Sequence, residues 1–208
     1  MYFGFLIPAY GFAYFAPSIV QAGKYSPITT QLRTVPVWIV AWVVSMVFSI
    51  ASDRIRHRFL FIVAGTTIGI VGFIVLLTVH GRTDIQYGAL FLALTGAFAV
   101  TPICICWFTT NIAGHTRRSI GSAFQISFGN LGGIIATFVF IKEEAPTYRT
   151  GYGVCLAGLC IALVSSVVFY IGITKENRDR AAGKAGVVRT DDPDEDLGDT
   201  ARDFRYMR

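Results

Sequence analysis

The chain has 208 residues, of which 53% are hydrophobic and only 15% are charged, and its mean hydropathy is +0.56. In soluble domains about a quarter of all residues are charged. The composition of this chain therefore excludes an ordinary soluble fold and is typical of a membrane protein. The net charge of +5 would suggest a polyanion partner in a soluble protein, but here it raises the question of where the 18 Lys and Arg residues lie.

Six apolar stretches without charged residues are long enough to cross a bilayer, which needs roughly 20 helical residues. Short polar connections force neighbouring helices to run antiparallel, and the stretches lack the alternation of membrane β-strands. We therefore predict an all-α membrane protein with six transmembrane helices in residues 1–174 and a solvated, disordered cytoplasmic tail in residues 175–208. The predicted spans are about 1–21, 34–52, 59–80, 87–109, 119–141 and 151–174.

The first span carries Tyr10 and Tyr14, four residues apart on one helical face. Pro8 and Pro17 are expected to interrupt this helix, and interrupted helices with polar side chains often line transport cavities. A tyrosine ring can stack on a planar anion while its hydroxyl donates a hydrogen bond. Tyr10 and Tyr14 are therefore candidates for substrate binding, with plain aromatic packing as the alternative.

The connection after the second span, "SDRIRHR" at residues 52–58, is unusually basic. If the loops alternate between the two sides of the membrane, nine basic residues near the membrane fall on its side and five on the other, which predicts that both termini are cytoplasmic. A nucleic-acid patch is a poor alternative, because it needs many phosphate contacts on one continuous face. The nine are Arg54, Arg56, Arg58, Arg117, Arg118, Lys175, Arg178, Arg180 and Lys184, and the five are Lys24, Arg33, Arg82, Lys142 and Arg149.

The orientation of the chain in the membrane does not explain why an acidic residue, Asp53, precedes the arginines of this loop. A carboxylate at a helix end can pair with an arginine or bond the amides of a neighbouring helix, and such a pairing can break when helices rock. This predicts a conformational gate that includes Asp53, Arg54 and Arg58. Arg117 and Arg118, in the next basic loop, are added to the predicted gate.

The fourth span carries three polar or aromatic residues that we expect to share a face. Thr101 lies within the span and is a candidate for substrate binding. Phe108 and Asn111 lie near the predicted cytoplasmic mouth, so they suit a gate better than a binding site.

The fifth span has a stripe of small and polar residues. Glycines at such spacing favour close helix packing in lipid, as does the Gly65 and Gly69 pair in the third span. The amides of Gln125 and Asn130 could donate hydrogen bonds to a carboxylate or join helices together, and both interpretations stay open because polar groups in hydrocarbon tend to face the bundle interior. The stripe consists of Ser122, Gln125, Gly129, Gly132 and Gly133, with Asn130 beside it.

Enzymatic chemistry has no support in the sequence. The four cysteines lie inside predicted spans without the spacing of a metal set, and the three histidines have no nucleophile or acid partner close in sequence. We therefore predict no cofactor, no metal and no catalytic residue.

Several segments together give a family resemblance. "SDRIRHR" resembles the loop between corresponding helices in each half of major facilitator superfamily transporters. "YSPITTQLRTVP", "TTNIAGHTRRSIGSAFQISFGNLGG", "EEAPTYRTGY", "ITKENRDR" and "DFRYM" resemble the carboxyl half of fungal anion:cation symporters, the allantoate, nicotinate and pantothenate permease group.

The resemblance implies a secondary transporter of a small organic anion, coupled to protons, in the plasma membrane. It also places the first and fourth helices of a half along the cavity, which favours Tyr10, Tyr14 and Thr101. Such transporters have two six-helix halves with the substrate between them, so the partner would be a missing amino-terminal half or a second copy of this chain. The alternative is a truncated, non-transporting membrane protein or a partner subunit.

Proton coupling lacks an obvious carrier, because no Asp or Glu lies inside a predicted span. The carrier must then be in the absent half, or be a histidine or a loop carboxylate such as Asp53 or Asp84.

Overall fold

The computed structural model describes residues 1–21, 27–79, 82–140, 144, 148–184 and 204–207, with side chains through Ala13 and from Ile28 in the first two ranges. Six helices and no strand occur in these ranges, which confirms the predicted all-α architecture. The helices are α1 (Tyr2–Gln21), α2 (Pro27–Ile55), α3 (Arg58–Thr78), α4 (Thr83–Thr110), α5 (His115–Val139) and α6 (Arg149–Ala181).

Most helices extend beyond the apolar stretches that predicted them. Helix α2 begins at Pro27 rather than near residue 34, and α6 continues to Ala181 rather than ending near residue 174. The reason is that a charged residue ends an apolar stretch but leaves the backbone hydrogen-bond pattern of a helix intact. The first residues of the predicted disordered tail, 175–181, are therefore helical, and residues 204–207 also differ from that prediction because they pack on the bundle.

Five helices, α2 to α6, are long and apolar enough to cross a membrane. In α1 the part with described side chains, Tyr2–Ala13, is apolar but shorter than a span. The expected interruption of α1 was wrong, because Pro8 and Pro17 lie inside one continuous helix. Proline is tolerated in membrane helices when neighbouring helices and local adjustments satisfy the freed backbone groups.

Helix α4 forms the centre of the bundle, where it packs against α1, α2 and α3. Its buried side chains include Leu94, Val100, Cys104 and Trp107. Helix α1 packs against α5 and α6, and α3 packs against α6. Helices α2 and α5 lie at the edges and expose long rows of large apolar side chains.

The contact between α3 and α4 is a backbone contact. A β-carbon added to Gly96 would lie 2.3 Å from the backbone nitrogen of Gly69 and 2.7 Å from the carbonyl oxygen of Gly65. A β-carbon added to Gly72 would lie 2.4 Å from the nitrogen of Ala93. The glycine pair of the third span therefore has the predicted packing role, because only glycine allows two backbones to approach this closely.

Helix α5 approaches α1 in the same way. A β-carbon on Gly129 would lie 2.3 Å from the ring of Tyr2, and one on Gly132 would lie 2.9 Å from the carbonyl oxygen of Phe3. These glycines of the α5 stripe therefore serve helix packing.

We expect Gly96→Ala to lower the thermal stability of the purified chain, because its methyl group meets backbone that cannot move aside without separating α3 from α4. Overpacking of this kind costs about 1 to 3 kcal/mol. The matched control is Gly88→Ala in the same helix, where an added β-carbon meets nothing within 4 Å and alanine gains up to about 1 kcal/mol of helix propensity. Thermal unfolding in detergent should give opposite shifts, and equal shifts would contradict the proposed close contact.

Candidate functional site

Two of the predicted binding residues meet on the outer face of α1 and α5. The hydroxyl of Tyr10 donates a hydrogen bond of 2.9 Å to Oδ1 of Asn130. Gly133 permits this approach, since a β-carbon there would lie 2.9 Å from Cδ2 of the Tyr10 ring. The pair joins the two helices at mid-span, and Asn130 itself is exposed.

The surroundings of this pair are apolar. Along α5, the side chains of Phe124 and Phe138 are 72% and 79% exposed, and other outward-facing residues include Phe128, Leu131 and Ile134. The Tyr10 and Asn130 pair is thus a polar site on a face that the rest of the described bundle leaves uncovered. Polar groups at this depth are costly in lipid and usually face a cavity or another helix bundle.

A cavity of about 350 Å³ lies next to this face and contains a third predicted binding residue, Gln125. The Nε2 group of Gln125 lies 3.9 Å from Sγ of Cys104, while its Oε1 atom is buried without a partner among the described residues. The volume of the cavity suits a small organic molecule. The amide of Gln125 offers such a molecule a polar contact in a wall that is largely aromatic. The lining comprises Met1, Tyr2, Phe3, Phe108, Phe124, Gln125, Phe128, Ser165 and Phe169.

Thr101 is not brought into this group. Thr101 donates its hydroxyl to the carbonyl of Ala97 at 2.8 Å, a bond within its own helix. Tyr14 belongs to α1, but its side chain lies outside the described residues.

An ion pair joins the two ends of the basic segment between α2 and α3, which is one of the two arrangements expected for its acidic residue. Nη2 of Arg58 lies 3.1 Å from Oδ1 of Asp53, and the two side chains are 10% and 67% exposed. Nη1 of Arg58 is buried and has no partner in the described part of the chain. A small cleft beside the pair includes Ser52 on α2 and Pro102 and Cys106 on α4, so Asp53 and Arg58 lie where α2, α3 and α4 meet.

The other predicted gating residues occupy different surroundings. Arg54 and Arg117 are exposed at helix ends. Arg118 donates from Nε and Nη2 to the carbonyl of Ile112, at 3.3 and 3.2 Å, and so fixes the connection between α4 and α5. Phe108 lines the cavity.

Asn111 does not share this location with Phe108. Its side chain is 5% exposed and exchanges hydrogen bonds with the backbone of Met207, near the end of the chain. The sequence reasoning missed this group, which also includes Trp107, Asn177, Arg180 and Tyr206. The terminal sequence "DFRYM" is the signal in the sequence that coincides with this group.

The described loop carboxylates differ in their suitability as proton carriers. Asp53 is paired with Arg58. Glu144 accepts hydrogen bonds from the backbone nitrogen of Thr150, at 2.9 Å, and from its hydroxyl. These bonds hold the pKa of Glu144 below its usual value, which disfavours its protonated form.

Comparison with known proteins shows relatives along nearly the whole chain. The MFS-type transporter cnsO of Penicillium expansum is 29% identical over 97% of this chain, and the MFS transporter prlL of a fungal species is 30% identical over 90%. The high-affinity nicotinic acid transporter of Saccharomyces cerevisiae is 26% identical over 99%. The chain is similar to fungal major facilitator-type transporters. Together with its five apolar helices, this similarity indicates an integral membrane protein.

The match covers only part of the length of each relative. It covers 40% of cnsO, 38% of prlL and 39% of the nicotinic acid transporter, so the chain spans about two fifths of the length of the relatives it matches. No family model matches the chain. No solved structure matches it either.

We expect Asp53→Asn to lower the stability of the chain, because Arg58 would keep its charge in a nearly buried site without its carboxylate. Breaking a fully buried pair costs several kcal/mol, and the exposure of Asp53 reduces the expected loss to about 1 to 2 kcal/mol. Arg54→Gln is the control, since it removes a neighbouring exposed charge. Thermal unfolding in detergent compares the variants, and a loss no larger than that of Arg54→Gln would show that the ion pair contributes nothing.

Proposed function

We propose that this chain is the carboxyl-terminal half of a secondary transporter that moves a small organic anion, such as a vitamin or ureide carboxylate, together with protons across the plasma membrane. The observation that carries the proposal is the hydrogen-bonded pair of Tyr10 and Asn130 on an otherwise apolar, uncovered face. Similarity to transporters, one of them named for nicotinic acid, supports the same conclusion.

The pair and the neighbouring Gln125 can recognise a small organic anion through three features. Because Tyr10 donates to Oδ1 of Asn130, the Nδ2 group of Asn130 is left as a donor for a carboxylate. The Tyr10 ring supplies a flat surface for a planar ligand. Gln125 lines the neighbouring cavity, where its Oε1 atom has no partner among the described residues and can accept a hydrogen bond from a hydroxyl or N–H group of the ligand.

The second wall of the site would come from another bundle. Helices α2 and α5 expose residues such as Trp42, Val47, Phe124 and Ile134, and a contiguous apolar face of this kind is covered in a membrane by lipid or by another helix bundle. Since the matched relatives are about two and a half times longer than the match, an amino-terminal six-helix half is the partner that we propose. A second copy of the chain is the alternative occupant.

Asp53 and Arg58 are proposed to act in the conformational change. Their ion pair connects the end of α2 with the start of α3 beside α4. Alternating access requires one bundle to rock against the other, and a pair that forms in only one arrangement biases that equilibrium by a few kcal/mol at most. Arg54, Phe108, Arg117 and Arg118 are proposed as secondary contributors to this gate.

We expect both termini to be cytoplasmic. Arg82→Cys, before α4, should react with a membrane-impermeant maleimide in intact cells, whereas His57→Cys, in the basic loop, should react only after permeabilisation. Both positions are exposed in the structure, so burial cannot account for a difference. The opposite labelling pattern would reverse the orientation.

We expect Tyr10→Phe to lower uptake by about fivefold to tenfold, because it removes the hydroxyl that orients Asn130 and leaves the ring in place. The control is Tyr170→Phe on α6, since the Tyr170 hydroxyl makes no hydrogen bond within the described residues. Labelled nicotinate, allantoate and pantothenate should be tested in cells that produce the longest product of the reading frame, with surface expression measured in parallel. Uptake of none of them by a protein with twelve spans would contradict an anion transporter of this class.

The same assay on the chain alone, in vesicles with an imposed proton gradient, separates the two partners. We expect no accumulation, because a midplane site needs walls from two bundles. Accumulation above empty vesicles would make a pair of identical chains the transporter. If the reading frame encodes no further spans and the vesicles accumulate no labelled anion, the result supports a non-transporting membrane protein or partner subunit and contradicts the proposed transporter.

A further inference from the structure

The last described residues of the chain, 204–207, lie against the ends of α4 and α6 that carry Asn111 and Asn177. We refer to residues 204–207 as the terminal segment. Its backbone and the side chain of Tyr206 form hydrogen bonds with residues at these two helix ends.

Asn111, at the end of α4, forms two hydrogen bonds with the backbone of Met207. Its Oδ1 accepts a hydrogen bond of 2.7 Å from the Met207 nitrogen, and its Nδ2 donates to the Met207 carbonyl at 3.1 Å. The indole nitrogen of Trp107 donates to the same carbonyl at 2.9 Å. The backbone N–H and the backbone carbonyl of Met207 are therefore both hydrogen-bonded by side chains at the end of α4.

Asn177, near the end of α6, repeats this arrangement on the preceding residue. Its Oδ1 accepts from the Tyr206 nitrogen and its Nδ2 donates to the Tyr206 carbonyl, both at 2.9 Å. Arg180 holds the side chain of Tyr206, with its guanidinium 4.7 Å from the ring centroid and Nη2 bonded to the hydroxyl at 3.1 Å. Glu176 pairs with Arg180 at 2.9 Å and fixes the guanidinium.

The receiving side chains are buried, which distinguishes this contact from a loose surface one. Asn111, Asn177 and Arg180 are 5%, 9% and 5% exposed, and each would lose hydrogen bonds if the terminal segment were absent. Leaving a buried polar group unpaired costs about 1 to 3 kcal/mol. The side chains are thus arranged for a bound peptide backbone.

We propose that Trp107, Asn111, Asn177 and Arg180 form a peptide-binding site, that the terminal segment is its own occupant, and that the occupied site ties the end of α4 to the end of α6. Two asparagines read consecutive residues through the main chain, and selectivity comes from the one aromatic ring held by Arg180. This is recognition of an extended peptide by backbone hydrogen bonds, with a side-chain pocket for specificity. It does not depend on the transport function proposed above.

The site can be tested on the full chain by limited proteolysis with chymotrypsin. Beyond α6, the sequence offers Phe204 and Tyr206 as its only Phe, Tyr or Trp residues, so the released carboxyl-terminal peptides report the terminal segment directly. Cleavage after Phe204 should be slow while the segment is bound, because proteolysis follows the population of the open state.

The decisive comparison is between Met207→Pro and Met207→Leu. Proline removes the N–H that Asn111 accepts, and it favours an extended conformation at residue 206, so its main effect is the lost hydrogen bond. Leucine retains the N–H and a similar side chain. We expect cleavage after Phe204 to be about fivefold faster in Met207→Pro, as the loss of one hydrogen bond predicts, and unchanged in Met207→Leu.

A second pair of variants tests the receiving side. Asn177→Asp keeps the size and the acceptor but replaces the donor to the Tyr206 carbonyl by a charged oxygen, and we expect a similar acceleration. Lys175→Gln, an exposed position on the same helix, should cleave at the original rate. Thermal unfolding of each variant shows that the bundle is intact. Equal cleavage rates in Met207→Pro, Met207→Leu and the unchanged chain would overturn the proposed site.

Discussion

The bundle depends on the close approach of α3 and α4. In lipid, two apolar helices gain little by excluding solvent, since the acyl chains are as apolar as leucine, and their association rests on packing. Gly65, Gly69 and Gly96 supply this packing by bringing backbone against backbone. Helix α4 also contacts α1 and α2, and α1 in turn packs against α5, so this contact lies at the centre of the set of helices that carry the candidate residues.

A second constraint acts on the polar side chains inside the spans. Most hydroxyl groups bond a carbonyl one turn earlier in their own helix, as Thr66 does to Ile62 at 2.6 Å and Ser166 to Ala162 at 2.8 Å. Such groups need no partner from another helix. Several polar side chains depart from this pattern. Ser45 and Tyr87 bond carbonyls of a neighbouring helix, and Tyr10 bonds Asn130 across α1 and α5. Gln125 Oε1 and Arg58 Nη1, at the proposed binding face and the proposed gate, are among the buried polar atoms that find no partner within the described residues.

The sequence predicted the helices well because hydrophobic stretches and their charged boundaries follow from the thickness of the bilayer. It also suggested that the acid of this loop pairs with an arginine or bonds helix amides, and the structure pairs Asp53 with Arg58. It could not predict that Tyr10 meets Asn130, since their separation along the chain leaves only the packing of α1 on α5 to decide it. Asn111 was assigned to the face of Phe108 by helical spacing, but it lies at the end of α4, where the helix geometry no longer fixes the direction of a side chain. The contacts of the terminal segment could not be predicted from the sequence, because nothing in the composition of an acidic tail indicates that its last residues pack on the bundle.

The binding of the terminal segment to its own chain affects competition with other peptides. A peptide covalently attached near its own binding site is present at an effective concentration of about millimolar, whatever the amount of protein in the cell. An unattached peptide with the same contacts would have to reach that concentration to displace half of it, so a soluble competitor succeeds only if it binds much more tightly. Removal of the last few residues by a protease would abolish this advantage at once and leave Asn111 and Asn177 open to other extended chains.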